Sequence, residues 1–224
     1  MTGSTDLTER TIAILGGTGP QGRGLARRFA QAGLTVVLGS RAAEKAQAAA
    51  AELAEATGGA VTGAANADAA AAGDVVLVVV PWDGHAELLR DLKPHLDGKV
   101  VVDCVNPLGF DKQGPFALKV EEGSATEQAA AILTDSTVVG AFHNVSAVLL
   151  EDPEVASIDT DVLVLGDERE ATDLVQALAD SVPGMRGVYA GRRRNAHQVE
   201  ALTANLIAMN RRYKAHAGVR ITDV

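Results

Sequence analysis

The run Gly16-Gly17-Thr18-Gly19-Pro20-Gln21-Gly22 is the densest chemistry-bearing stretch of the chain, with glycines 17, 19 and 22 in G-x-G-x-x-G spacing. That spacing suits a phosphate cradle. Gly17 permits a tight strand-to-helix turn, Gly19 lets the main chain approach a pyrophosphate, and Gly22 lets a helix lie close on a sheet. A helix starting here aims unpaired N–H groups and the positive end of its dipole at the anion. The β-branched run Thr11 to Leu15 feeds the loop, and Thr35-Val36-Val37-Leu38 offers a second strand. In that context the glycines read as a dinucleotide loop, where an isolated copy would be an ordinary turn.

The tip of the second strand selects the nucleotide. An NAD site places Asp or Glu roughly 20 residues past the glycines, on the ribose 2′-hydroxyl. Here the strand ends Gly39-Ser40-Arg41, with Lys45 one helical turn on and no carboxylate at the tip. Arg41 and Lys45 are i and i+4 and can share a face. With the hydroxyls of Ser40 and Thr18 they form a cradle for a 2′-phosphate, so NADP is expected. The plain alternative is a solvated basic helix start, since Glu44 adjoins Lys45.

Proton-transfer candidates are few. The chain has five histidines and no Tyr-x-x-x-Lys. His143 follows a strand, where a ligand at the carboxyl edge of a sheet would sit; a loop histidine satisfied by main chain is the competing reading. A reaction that passes hydride directly between two organic cofactors needs little more than contact between donor and acceptor carbons. The lone cysteine, Cys104, excludes an internal disulfide and a cysteine metal cluster, and reads as a small buried residue.

With 224 residues, 47% hydrophobic and 22% charged, the chain suits one compact domain or one domain with an appendage. Only 3% is aromatic, so the core must be aliphatic, and a net charge of −9 argues against a nucleic-acid surface. Met1 to Arg10 lacks a signal-peptide core, and the apolar run Val75 to Val80 is too short to span a bilayer. A soluble cytoplasmic protein is expected.

These residues must be positioned by alternating strands and helices, the rhythm of a parallel sheet covered on both faces. Helices are expected from about Gln21 to Ala32, Ala42 to Thr57, Ala67 to Ala72, His85 to Leu92, Ser124 to Leu133, Glu168 to Ser181 and Asn195 to Lys214. Strands are expected at Thr11–Leu15, Thr35–Leu38, Val61–Gly63, Asp74–Val80, Val100–Asp103, Thr137–Ala141, Asp161–Leu165 and Arg186–Ala190. Ser124-Ala125-Thr126-Glu127 spells a capping box. Asn106 to Val120, rich in Gly and Pro, reads as a long loop. The fold class is thus α/β: a Rossmann-type, doubly wound parallel sheet over residues 1–155, with a smaller C-terminal α/β extension over 156–224. Val199, Leu202, Leu206 and Met209 form a helical stripe, for core packing or a second subunit; a homodimer is expected.

The loop, Ser40-Arg41 with Lys45, Val80-Pro81-Trp82, Asn106-Pro107, Ala141-Phe142-His143-Asn144-Val145 and Val199-Glu200-Ala201-Leu202-Thr203 together resemble the NADP-dependent reductases of coenzyme F420 over nearly the whole chain. The same dinucleotide fold forms a domain of membrane metalloreductases. The chain departs from the family pattern at Pro20, His197 and Ala201. The resemblance implies hydride exchange between NADP and F420, an 8-hydroxy-5-deazaflavin. Gly17, Thr18, Gly19, Pro20, Gln21 and Gly22 would line the pyrophosphate, and Ser40, Arg41 and Lys45 the 2′-phosphate. Val80, Asn106 and Ala147 would flank the nicotinamide, with Pro81, Trp82 and Pro107 beside it. His143, in a positioning role, would join Val145 and Thr203 at the deazaflavin, with Gly218 at its far edge and Arg192 to Arg194 offered to its anionic tail. An NADPH-dependent imine or keto-acid reductase using His143 as proton donor, and a non-catalytic NADP(H) sensor, are the alternatives.

Overall fold

The computed structural model describes residues 6–224; residues 1–5, the first half of the Met1 to Arg10 stretch, lie outside the described residues. The first half alternates as expected: β1 (Thr11–Leu15), α1 (Pro20–Gln31), β2 (Thr35–Ser40), α2 (Ala43–Thr57), β3 (Val61–Ala65), α3 (Asn66–Ala72), β4 (Val75–Val78), α4 (His85–Leu96) and β5 (Val100–Asp103). The strands are short β-branched runs buried on both faces; β4 has no exposed residue. Helix ends follow local chemistry. Gly58 takes the left-handed conformation (φ +68°) after α2, as Gly33 does (φ +83°) just past α1. Helix α4 continues beyond Leu92 and through Pro94, because Leu96 is fully buried and anchors the extra turn.

The Gly/Pro-rich segment after β5 is not a loop. It forms an antiparallel hairpin, β6 (Leu108–Asp111) and β7 (Gly114–Ala117), with Phe110 opposite Pro115. Gly109 lies beneath Phe116, and a Cβ there would come within 2.4 Å of the ring. Then follow α5 (Ala125–Ile132), β8 (Thr137–Gly140), a short α6 (Ala147–Glu151), β9 (Thr160–Leu165), α7 (Arg169–Asp180), β10 (Met185–Gly191) and α8 (Ala196–Tyr213). The capping box is half made: Ser124 Oγ accepts from Glu127 N at 2.9 Å, while the Glu127 carboxylate pairs with Arg193.

Eight strands form one sheet in the order β10-β9-β8-β5-β4-β1-β2-β3. The six from β3 to β8 are parallel, and β9 then pairs antiparallel to β8 through Gly140 and Leu165. The sheet is therefore mixed rather than wholly parallel. Strands β9 and β10 continue it, and because only the ends of β8 and β9 overlap, the start of β9 rises past the carboxyl edge of β8. Two aliphatic cores, centred on Ile14 and Leu77 on one face and on Leu15 and Val78 on the other, fix that edge from both sides.

Candidate functional site

At the end of β1 the chain turns on Gly16, not on Gly17. Gly16 has φ +68°, and a Cβ there would meet Val80 Cγ1 at 2.4 Å and Val79 O at 2.6 Å. Close packing accounts for Gly17 and Gly22: a Cβ on Gly17 would strike Leu38 and Ile14, and one on Gly22 the Gly17 main chain at 2.5 Å. Gly19 differs, since a Cβ would meet nothing nearer than Gly16 O at 4.0 Å. Gly19 is also the N-cap of α1 and Pro20 its first residue, so an open, concave main chain faces the positive end of a helix dipole. A pyrophosphate fits that space.

Gly17 N donates to Gly39 O at 2.9 Å, which ties the glycine loop to the tip of β2. At that tip Ser40 is buried, its Oγ accepting from Ala42 N at 3.3 Å. Arg41 and Lys45 are exposed and have no ion pair among the described residues; Glu44 does not neutralise them. Two available cations with no acid at the strand tip fit a 2′-phosphate and disfavour a bare ribose edge.

Beyond β8 the chain bends at Phe142, a buried non-glycine with φ +63°. A left-handed residue of this kind costs roughly 1–2 kcal/mol and is held by its neighbours. Its ring meets Phe29 edge-on at 6.0 Å, and its carbonyl accepts from Gln21 Nε2 at 2.9 Å. The next carbonyl, of His143, accepts from Thr203 Oγ1 at 2.8 Å and Asn106 Nδ2 at 3.1 Å. Residues from α1, the β5 turn and α8 thus converge on two successive peptide groups, and there they wall a cavity of ≈ 630 Å³. Val145 and Ala147 line it too.

The His143 imidazole is buried behind this surface, with Cε1 3.2 Å from where a Gly140 Cβ would lie. Burial lowers its pKa to about 4, against the pull of Asp103, so it is neutral near pH 7. Neither ring nitrogen, nor Asn144 Oδ1, has a hydrogen-bond partner among the described residues, although Asn144 Nδ2 donates to Asp161 O at 2.7 Å. Asn144 also lines the cavity, so a ligand with N–H groups suits this wall.

The remaining expected residues lie around these two regions. Val80 touches the glycine loop, Pro81 is exposed, Trp82 half-buried and Pro107 buried; none of the four lines the cavity. Gly218 packs on Thr160 beside Ala217, which does line it. Arg193 is engaged by Glu127 and Asp167, and the Arg192–Arg194 turn contributes nothing to the cavity. Unforeseen were Gly16, Gln21's reach to Phe142, Asn144, and a buried group of His85, Asp103 and Glu200 with the half-buried Gln128. Glu200 from α8 accepts from Ala125 N, Thr126 N and Thr126 Oγ1, and so caps α5. Burial pushes its carboxyl up despite those bonds. Cys104 is buried as expected, its thiol pushed up by burial and unreactive.

Fold and site together define a dinucleotide-binding α/β protein with a second, solvent-open pocket at the carboxyl edge of its sheet. The family described as NADP oxidoreductase, coenzyme F420-dependent, matches residues 11–107. The F420-dependent NADP reductase of Methanothermobacter thermautotrophicus is 40% identical over 222 residues, 95% of each chain. That of Methanocaldococcus jannaschii is 38% identical over 221 residues, covering 95% of this chain and 98% of its own. Among solved structures, a putative F420-dependent NADP reductase from Arthrobacter sp. FB24 superposes with a TM-score of 0.79 at 27% identity, over 95% of this chain and 99% of that one. This chain belongs to the family of F420-dependent NADP oxidoreductases.

Proposed function

We propose that this protein moves hydride reversibly between reduced coenzyme F420 and NADP⁺. The observation that carries the reading is the pairing of two sites on one edge: an NADP cradle at Gly19, Arg41 and Lys45, and a second pocket bounded by Gln21, Asn106 and Thr203. Gln21 belongs to both, since it stands in the first turn of α1 beside the phosphate loop and lines the cavity.

When bound, the deazaflavin and nicotinamide would supply the hydride chemistry. The chain's part is to bind and orient. Gly19 and the α1 N-terminus take the pyrophosphate, and Ser40, Arg41 and Lys45 the 2′-phosphate. Val80 and Ala147 limit the nicotinamide side, and Val145 gives an apolar surface that excludes water. Thr203 and Asn106 hold the Phe142–His143 main chain in place; His143 acts by position. A neutral buried imidazole is poorly suited to donate a proton near neutrality, which counts against an imine or keto-acid reductase. On this reading NADP lies on residues 1–155, and the deazaflavin between these and 156–224.

No helix among the described residues is long and apolar enough to cross a membrane. We assign the protein to the cytoplasm, as a homodimer whose contact uses α8, where Met209 and Tyr213 are exposed. The test of activity is spectroscopic: NADPH bleaches the visible band of oxidised F420 in the presence of the protein, and NADH does so far more weakly. A protein that binds NADPH yet leaves F420 oxidised is not this enzyme.

A further inference from the structure

Trp82 opens the 3₁₀ turn that follows β4, and His85 begins α4 three residues later. Their rings stack, with centroids 5.5 Å apart and planes at 29°. The imidazole is fully buried and held at both nitrogens. Nε2 lies 2.6 Å from Asp103 Oδ2, and Nδ1 lies 3.0 Å from Gln128 Oε1. Gln128 Nε2 in turn donates to Glu122 at 3.1 Å, which fixes the amide with its oxygen toward the ring. Asp103 is oriented as well, its Oδ1 accepting from Val105 N at 3.0 Å. Two acceptors on one imidazole call for two N–H groups, so His85 is an imidazolium. It lies against the indole as a cation on an aromatic ring.

A ring pinned to β5 on one side and α5 on the other cannot rotate, and the half-buried indole stacked on it is held in one orientation. That indole leaves the sheet two residues after Val80, the side chain that abuts Gly16. We infer that His85 is a positioning residue: through its stack it holds Trp82 as a fixed wall of the NADP site. This rests on the NADP reading above. Asp103 from β5 and Glu200 from α8 are the charged groups that act on the imidazole; Gln128 from α5 is neutral, and Glu122 acts through it. Burial opposes the charge and these partners outweigh it.

Trp82 is the only tryptophan, so its fluorescence reports the site directly. Acrylamide quenching of the wild-type protein, with and without saturating NADP⁺, shows whether the nucleotide covers the indole; a fall of several-fold in quenching constant is expected. Kinetics of Trp82→Phe, His85→Gln and the double variant then test the linkage. Each single change raises the KM for NADP⁺ roughly tenfold, and the double variant does no worse than either, because His85 acts through Trp82. Unchanged quenching in protein that calorimetry shows to bind NADP⁺ overturns the inference and leaves the NADP reading intact; additive KM effects overturn it too. Absence of NADP⁺ binding by calorimetry removes both. Should His85→Gln not fold, Gln128→Leu, which releases one of the two holds on the imidazole, takes its place in the same cycle with Trp82→Phe.

Discussion

The hydroxyl of Thr203 donates to the main-chain oxygen of His143 at 2.8 Å, so the last helix grips the peptide that turns away from β8. Asn106 binds the same oxygen from the neighbouring turn. A threonine of α8 therefore sets the shape of the cavity wall without chemistry of its own.

Replacing Thr203 with valine removes this bond and leaves Asn106 as the remaining donor. A hydrogen bond of this kind is worth about 1 kcal/mol, so kcat/KM for the deazaflavin should fall roughly fivefold to tenfold, with Thr203→Ser recovering most of it. Steady-state kinetics of both variants decide; a valine variant with wild-type kcat/KM would detach Thr203 from the site.

Arg41→Ala with Lys45→Ala should raise the KM for NADP and narrow its advantage over NAD by roughly two orders of magnitude, since each charge-assisted bond contributes about 1.5–3 kcal/mol. The comparison to run is kcat/KM for NADPH and NADH. An unchanged ratio would mean the 2′-phosphate is read elsewhere.

His143 makes stability depend on pH. Its folded pKa of about 4 lies below the ordinary imidazole value of 6.5, with burial as the main cause. Between these values the unfolded chain binds a proton that the folded one does not, so stability is lost as pH falls from 6.5 towards 4. The loss reaches roughly 3 kcal/mol. Glu200, shifted upward, works the other way in the acid range. His85, also shifted upward, adds stability that is lost as pH rises through its folded pKa. Denaturant melts of wild type and His143→Asn at pH 7 and pH 4.5 cancel these shared contributions, and the variant should show the smaller acid loss. Equal losses would contradict a buried neutral imidazole.

Asp161 ties the C-terminal segment to β9. Its buried carboxylate accepts from Arg186 and Arg220 and from Ile221 N, and its carbonyl accepts from Asn144. Its pKa is held far below the usual carboxylate range, first by the Arg186 bond. Asp161→Asn should lower the melting midpoint measurably, although both arginines keep solvent contact and are not left as buried charges. It should also expose the final residues to protease. A melt within error of wild type would show the tether to be dispensable.

Much of the first half of the fold could be read from residues alone, because its signals are local. Glycine spacing, β-branched runs and the missing acid at the tip of β2 each span a few residues. Even there, close packing moved the left-handed turn to Gly16, which only the approach of Val79 and Val80 reveals. The β6–β7 hairpin hid behind Pro107, Gly109, Gly114 and Pro115, residues that read as breakers until Gly109 is seen to make room for Phe116. Nothing local encodes the reversed direction of β9, and α6 is too short to show a period. Its carbonyls are met by Arg28, more than a hundred residues earlier, which donates to Leu149 O and Leu150 O. His85 and Asp103 stand 18 residues apart, and Gln128 is 43 from His85. No motif links them; the topology does.

The most direct test mixes purified protein with NADPH and oxidised F420 and follows the visible absorbance of the deazaflavin, beside an NADH control. Hydride exchange between F420 and NADP gives prompt bleaching with NADPH, recovery on adding excess NADP⁺, and a much slower reaction with NADH. Bleaching at equal rates with both nucleotides, or none with either, rules that exchange out.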